Sequence, residues 1–150
     1  MRSRCGNMIS SLTAYSDLVP DSHQRPPPSQ NTPLERALCQ VDDILEGASK
    51  EVSLSDPRTT LCVVRKNAAI YTYINACPHT GAPLNWSGDQ FLTRDGDMIQ
   101  CAIHGALFRI TDGVCIWGPC VHRRLQAVPT VIRDNRVMLA NDAMLGSPHD

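Results

Sequence analysis

The chain is short of most features that announce a function class. It has no charge excess: 14 Lys and Arg face 15 Asp and Glu, a formal net charge of -1. That balance excludes a nucleic-acid binder working through a bulk positive field, and equally a strongly acidic chain. It has no long apolar run; nothing approaches the roughly 18–20 residues needed to span a bilayer. After Arg2 and Arg4 the polar Asn7, Ser10, Ser11 and Thr13 break any secretory core. Aromatics are scarce, with two Trp, three Tyr and two Phe, although 42% of the chain is apolar and a modest core is within reach. Helical periodicity is weak and no segment repeats. The cysteines number seven, an odd count in a chain without an export signal. This argues against a disulfide scaffold and for reduced thiols, some of them metal ligands. The expectation is a soluble cytoplasmic protein with one folded domain and no nucleic-acid or membrane partner.

What is present divides the chain in three. Residues 1–33 hold five of the eleven prolines, including Pro26-Pro27-Pro28, with many Ser, Asn and Gln. Such a composition buries too little apolar surface to offset its ordering entropy, so a disordered tail is expected. Residues 34–140 read as short strands with turn punctuation. Ala37–Val41 and Lys50–Leu54 are candidate strands. Leu61–Arg65 and Ala69–Ile74 flank a turn at Lys66-Asn67, and Thr130–Arg133 and Arg136–Leu139 flank one at Asp134-Asn135. Asp95-Gly96 and Asp112-Gly113 mark further tight turns, and Asp42–Glu46 one short helical turn. The fold class is therefore all-β, built of stacked antiparallel hairpins. Residues 141–150 form a second tail.

Two loops between candidate strands each carry a cysteine and a histidine: Cys77-Pro78-His79-Thr80-Gly81 and Cys101-Ala102-Ile103-His104-Gly105. Neither half is specific alone, since Cys120-Val121-His122 repeats the first spacing. The conjunction is more informative, because both pairs lie in loops and both are followed by a glycine that permits a sharp turn. Thiolates hold iron in iron–sulfur clusters, and neutral imidazole can replace two of the four thiolates. One cysteine from each loop can then meet at one iron and one histidine from each loop at the other.

In these residues the chain resembles the Rieske [2Fe–2S] family. Residues 77–81 and 101–108 look like its two ligand boxes, Asp112-Gly113 like the turn after the second box, and Gly118-Pro119 like its proline loop. The resemblance implies a Rieske-like fold with a small cluster-binding tip. It implies one [2Fe–2S] cluster, with Cys77 and Cys101 on one iron and His79 and His104 on the other. It assigns no ligand role to Cys120 or His122. The chain also departs from the quinol-oxidising members. Ala82 and Ile103 stand where those carry a disulfide, and Ala106 and Phe108 where they carry hydroxyl donors to sulfur. Fewer donors leave the reduced cluster less stabilised, so the low end of the Rieske span of about −150 to +300 mV is expected. That suits a ferredoxin-type carrier between a reductase and a partner oxidoreductase, without catalysis of its own.

Other readings stand beside this one. The chain can be a small Rieske subunit of a larger oxygenase or reductase complex. Four Cys and His donors can also bind zinc in a non-redox module, although zinc modules seldom mix the two residue types within each loop. A catalytic oxygenase needs a second iron held by two His and a carboxylate, and only His23, His122 and His149 remain for it. Cys39 and Cys62 are expected as buried core thiols, Cys115 and Cys120 as unrelated core or loop thiols, and Cys5 as a tail thiol. Trp86 and Trp117 are expected to pack, with shielding of a cluster as the alternative. Arg109, Arg123 and Arg124 are read either as a docking patch for an acidic partner or as a solvated edge.

Overall fold

The computed structural model describes residues 36–56 and 58–140, and the two expected tails lie outside them. Within that span the chain is built from strands and turns. They are β1 (Ala37–Gln40), β2 (Ser49–Ser53), β3 (Thr60–Lys66), β4 (Ala69–Ile74), β5 (Met98–Gln100), β6 (Leu107–Arg109), β7 (Cys115–Trp117), β8 (Thr130–Arg133) and β9 (Arg136–Leu139). The short helical turn is a 3-10 turn over Val41–Asp43, slightly earlier than the sequence suggests. No helix among the described residues is long and apolar enough to cross a membrane.

Local chemistry explains the hairpins. Asn67 and Ala68 (φ 53° and 60°) and Asp134 and Asn135 (φ 48° and 61°) all sit in the left-handed region. Two such residues in succession make the turn whose twist matches antiparallel strands. The first turn is thus one residue later than Lys66-Asn67. The strands pair as three antiparallel sheets, β1-β9-β8, β2-β3-β4 and β5-β6-β7. The pairs Cys39↔Val137 and Gln40↔Arg136 join the first strand to the last.

β3 divides the interior. Leu61, Cys62, Val63 and Val64 are all fully buried, which requires cover on both faces. Leu61 and Val63 point into a core with Ile44, Val52, Leu54, Val128 and Leu139. Cys62 and Val64 point the other way, into a core with Phe91, Ile99, Phe108, Leu125, Cys77 and Cys101. The second core lies directly beneath the two Cys-His loops. Cys62 is the buried thiol expected of it; Cys39 is only half-buried.

Candidate metal centre

The two loops are built to the same backbone plan, although their histidines fall at different spacings. In the first, the Cys77 N–H donates to the Ala82 carbonyl and the Gly81 N–H to the Cys77 carbonyl, both at 2.7 Å. In the second, the Cys101 N–H donates to the Ala106 carbonyl and the Gly105 N–H to the Cys101 carbonyl, both at 2.8 Å. The glycine four residues after each cysteine closes the turn in the left-handed region, at φ 75° and 66°. That conformation is strained for a residue bearing a Cβ. The shared plan turns both cysteine side chains inward and both histidine side chains outward. Cys77 and Cys101 have no exposure, while His79 and His104 are exposed. The imidazole rings meet edge to face with centroids 4.7 Å apart.

The loops are tied to each other and to their support. The Ala102 N–H donates to the Leu84 carbonyl at 2.7 Å, linking the second loop to the chain leaving the first. Asn75, buried just before the first loop, accepts from the Leu84 N–H at 2.8 Å and donates to Asn85 Oδ1 at 2.8 Å and Thr60 Oγ1 at 2.9 Å. A third segment clasps both loops. Gly118 packs so closely that an added Cβ would lie 2.8 Å from Ala106 Cα. Arg123 Nη1 donates to the Pro78 carbonyl, between Cys77 and His79, at 2.8 Å.

Burial pushes the Cys77 thiol above its ordinary range, and its closeness to Cys101 adds to this. The His79 amide and the Cys120 thiol oppose the rise. Two buried thiols side by side, with two imidazoles above them, fit a pair of cations better than one. Among the described residues no three Cys, His, Asp or Glu side chains converge on a single-ion site, which tetrahedral zinc would need. A two-iron cluster needs only two protein donors at each iron. The donor set therefore fits a cluster bridged by its own sulfides.

Several expectations change. Cys115 and Cys120 are not unrelated: their sulfurs lie 3.4 Å apart in the buried floor of the site. No spacing rule signals that contact; the return of the chain after β7 makes it. Trp86 and Trp117 do not pack inside but are 76% and 62% exposed. Trp117 borders the site, where its ring is the nearest atom group to a Cβ built on Gly105. The three arginines are all exposed. Arg123 is the clamp on the first loop, and Arg109 Nε is paired with Asp112 Oδ1 at 3.0 Å.

Comparison with known proteins agrees with this geometry. A family model for the Rieske [2Fe-2S] domain matches residues 35–132. Human apoptosis-inducing factor 3 is 35% identical over 92 residues, 61% of this chain but 14% of that protein. The chain thus spans about one seventh of the curated relatives it matches. Among solved structures, the ferredoxin of Sphingomonas yanoikuyae B1 is similar with a TM-score of 0.57 and 27% identity, covering 70% of this chain and 96% of that one. The ferredoxin of carbazole 1,9a-dioxygenase from Nocardioides aromaticivorans IC177 shares the fold with a TM-score of 0.56 at 22% identity, covering 72% and 98%.

Proposed function

The chain belongs to the Rieske [2Fe-2S] domain family, and from that membership we propose a one-electron carrier of the ferredoxin type. Cys77 and Cys101 hold one iron and His79 and His104 the other. One observation carries the proposal: two identically hydrogen-bonded loops bury a thiol pair and set an imidazole pair at the surface above it. The [2Fe–2S] cluster supplies a reversible one-electron couple; the chain supplies ligation, insulation and an exit. The buried side of the site excludes water through Phe108, Leu84 and Ala106, all without exposure. The exposed imidazole edges give electrons the shortest way to a partner. Ile103, next to His104, and Trp117, beside Gly105, are 44% and 62% exposed, apolar surface suited to brief docking.

The partners proposed are a reductase on one side and an oxygenase-type or other oxidoreductase acceptor on the other. A solved complex of oxygenase and ferredoxin in carbazole 1,9a-dioxygenase contains a chain of this fold, which supports that class of acceptor. A second reading, a Rieske component of a larger assembly, is supported by the far greater length of apoptosis-inducing factor 3. A cytoplasmic setting belongs to the same proposal. It is supported by the six described cysteines, none of which is paired in a disulfide. The test is metal and sulfide analysis with electron paramagnetic resonance on dithionite-reduced protein. Equal iron and acid-labile sulfide with a rhombic signal is expected, and Cys101→Ser should abolish it. One colourless zinc per chain would overturn the proposal.

A further inference from the structure

The segments around the site are empty of formal charge. Residues 67–88, 98–108 and 113–122 contain no Asp, Glu, Lys or Arg. Arg123, the first charged residue after the Gly118-Pro119 turn, brings a cation to them. Its backbone is fixed from two directions. The Arg123 N–H donates to the Cys120 carbonyl at 2.9 Å, and the Arg123 carbonyl accepts the Cys115 N–H at 2.8 Å. The His122 N–H donates to the Cys115 carbonyl at 3.0 Å, with His122 at φ 72°. From this anchored position the side chain reaches the first ligand loop, where Nη1 donates to the Pro78 carbonyl at 2.8 Å. That carbonyl belongs to the peptide that leads into His79. The Glu51 carboxylate stops one side chain short of the loop, accepting from the Asn75 and Asn85 amides at 3.3 Å each. Arg124 is bridged through its backbone to Val114, and successive side chains of an extended chain leave on opposite faces.

A cation held against a ligand loop has a redox consequence. On the carrier reading proposed above, reduction adds one electron, and so one negative charge, to the site, and no bond forms or breaks. Net charge, as well as ligand type, sets the potential of such sites. We propose that Arg123 is a positioning residue that holds the first ligand loop through the Pro78 carbonyl and, by setting its cation there, favours the reduced form of the site. A guanidinium suits both tasks. It keeps its charge at any working pH, and its planar fork donates in a fixed direction. A charged donor also makes the stronger hydrogen bond to a carbonyl. Arg123 is exposed, so water and salt screen it, and its effect is that of a surface charge and not of a buried one. The same exposure supplies a signature. An effect of charge shrinks as salt rises, and an effect of packing does not.

The experiment is voltammetry on cluster-loaded protein, unmutated and carrying Arg123→Gln, Arg123→Lys or Arg124→Gln. In about 0.01 M salt, where charges act over roughly 30 Å, Arg123→Gln should lower the equilibrium constant for reduction by about two- to fivefold, the worth of a partly screened charge. In about 1 M salt, where their reach is roughly 3 Å, most of that difference should vanish. Arg123→Lys keeps the cation and should lie closer to the unmutated protein than Arg123→Gln does. Arg124→Gln removes the same net charge without releasing the loop and should shift the constant less. A difference that is absent or indifferent to salt, equal losses in Arg123→Gln and Arg123→Lys, or an equal loss in Arg124→Gln would overturn the inference. The hold on the loop is read separately by hydrogen exchange on the loaded proteins. The Gly81 amide, which donates within the first loop, should exchange faster in Arg123→Gln than in Arg124→Gln, and equal rates are fatal. Should Arg123→Gln fail to load, Arg123→Met is read in its place. Failure of both with normal loading of Arg123→Lys supports the hold by the cation, whereas failure of all three makes the residue one of folding and sinks the inference. Unmutated protein without a cluster spectrum would sink the carrier reading itself, a result separate from any difference among variants.

Discussion

At the scale of single residues, chemistry-bearing side chains were readable and their supports were not. Cys77, His79, Cys101 and His104 stand out because metal ligation demands those residue types and glycine must follow to turn the loop. Asn75 carries no such mark. Its importance comes from burial, which only the folded chain creates. Its side chain satisfies Leu84, Asn85 and Thr60 together. Asn75→Ala would leave the Leu84 N–H and the Asn85 Oδ1 without these partners inside the protein. Each stranded group costs about 1–3 kcal/mol, so urea unfolding should show a loss of roughly 3 kcal/mol. Because Leu84 also anchors Ala102 of the second loop, the variant should release iron to a chelator faster than the unmutated protein. The Cys115–Cys120 contact escaped the sequence for the same reason: five residues of spacing say nothing until His122 turns the chain back.

At the scale of elements, the hairpins were legible and the sheets were not. The β-prone runs Thr130–Arg133 and Arg136–Leu139 on either side of Asp134-Asn135 specify β8 and β9 locally, whereas the pairing of β1 with β9 spans nearly the whole folded region. Long-range pairing is decided by which apolar faces remain to be covered, and no local rule records that. Some turns are also held by distant groups. The Glu46 carboxylate accepts the Ala68 N–H at 3.0 Å and the Asn67 N–H, closing the β3–β4 turn from outside. The amide of Ala68 is the main reason its carboxyl lies below the ordinary carboxylate range; desolvation opposes it, and Asn67, Arg65 and Lys66 add to the lowering. A lowered folded value means that this stabilisation is complete above the unfolded carboxyl's range. It fades as pH falls through the folded value. Melting temperatures of the unmutated protein and Glu46→Gln should therefore differ most near neutral pH and converge in acid. A gap constant from pH 7 to pH 3 would show that the turn does not depend on the charge.

At the scale of the whole molecule, the division of the interior by β3 separates stability from redox behaviour. One core, with Leu61, Val63 and Leu139, holds the β1-β9-β8 sheet against the middle sheet. The other core holds the site and contains both candidate thiol ligands. The two meet at β3 and β4, which supply side chains to both, and the β3 backbone is paired on both sides by β2 and β4 and has little freedom to shift. A cavity in the first core should therefore weaken folding without moving the site. Leu139 is fully buried at the end of β9, and Leu139→Ala should cost about 2–5 kcal/mol by lost burial and residual cavity. Denaturant unfolding of the loaded protein reads that loss, while its reduction potential and paramagnetic signal should stay those of the unmutated protein. A potential that moved with Leu139→Ala would mean that the middle sheet transmits strain between the cores. The site would then be tuned by the whole fold and not by its two loops alone.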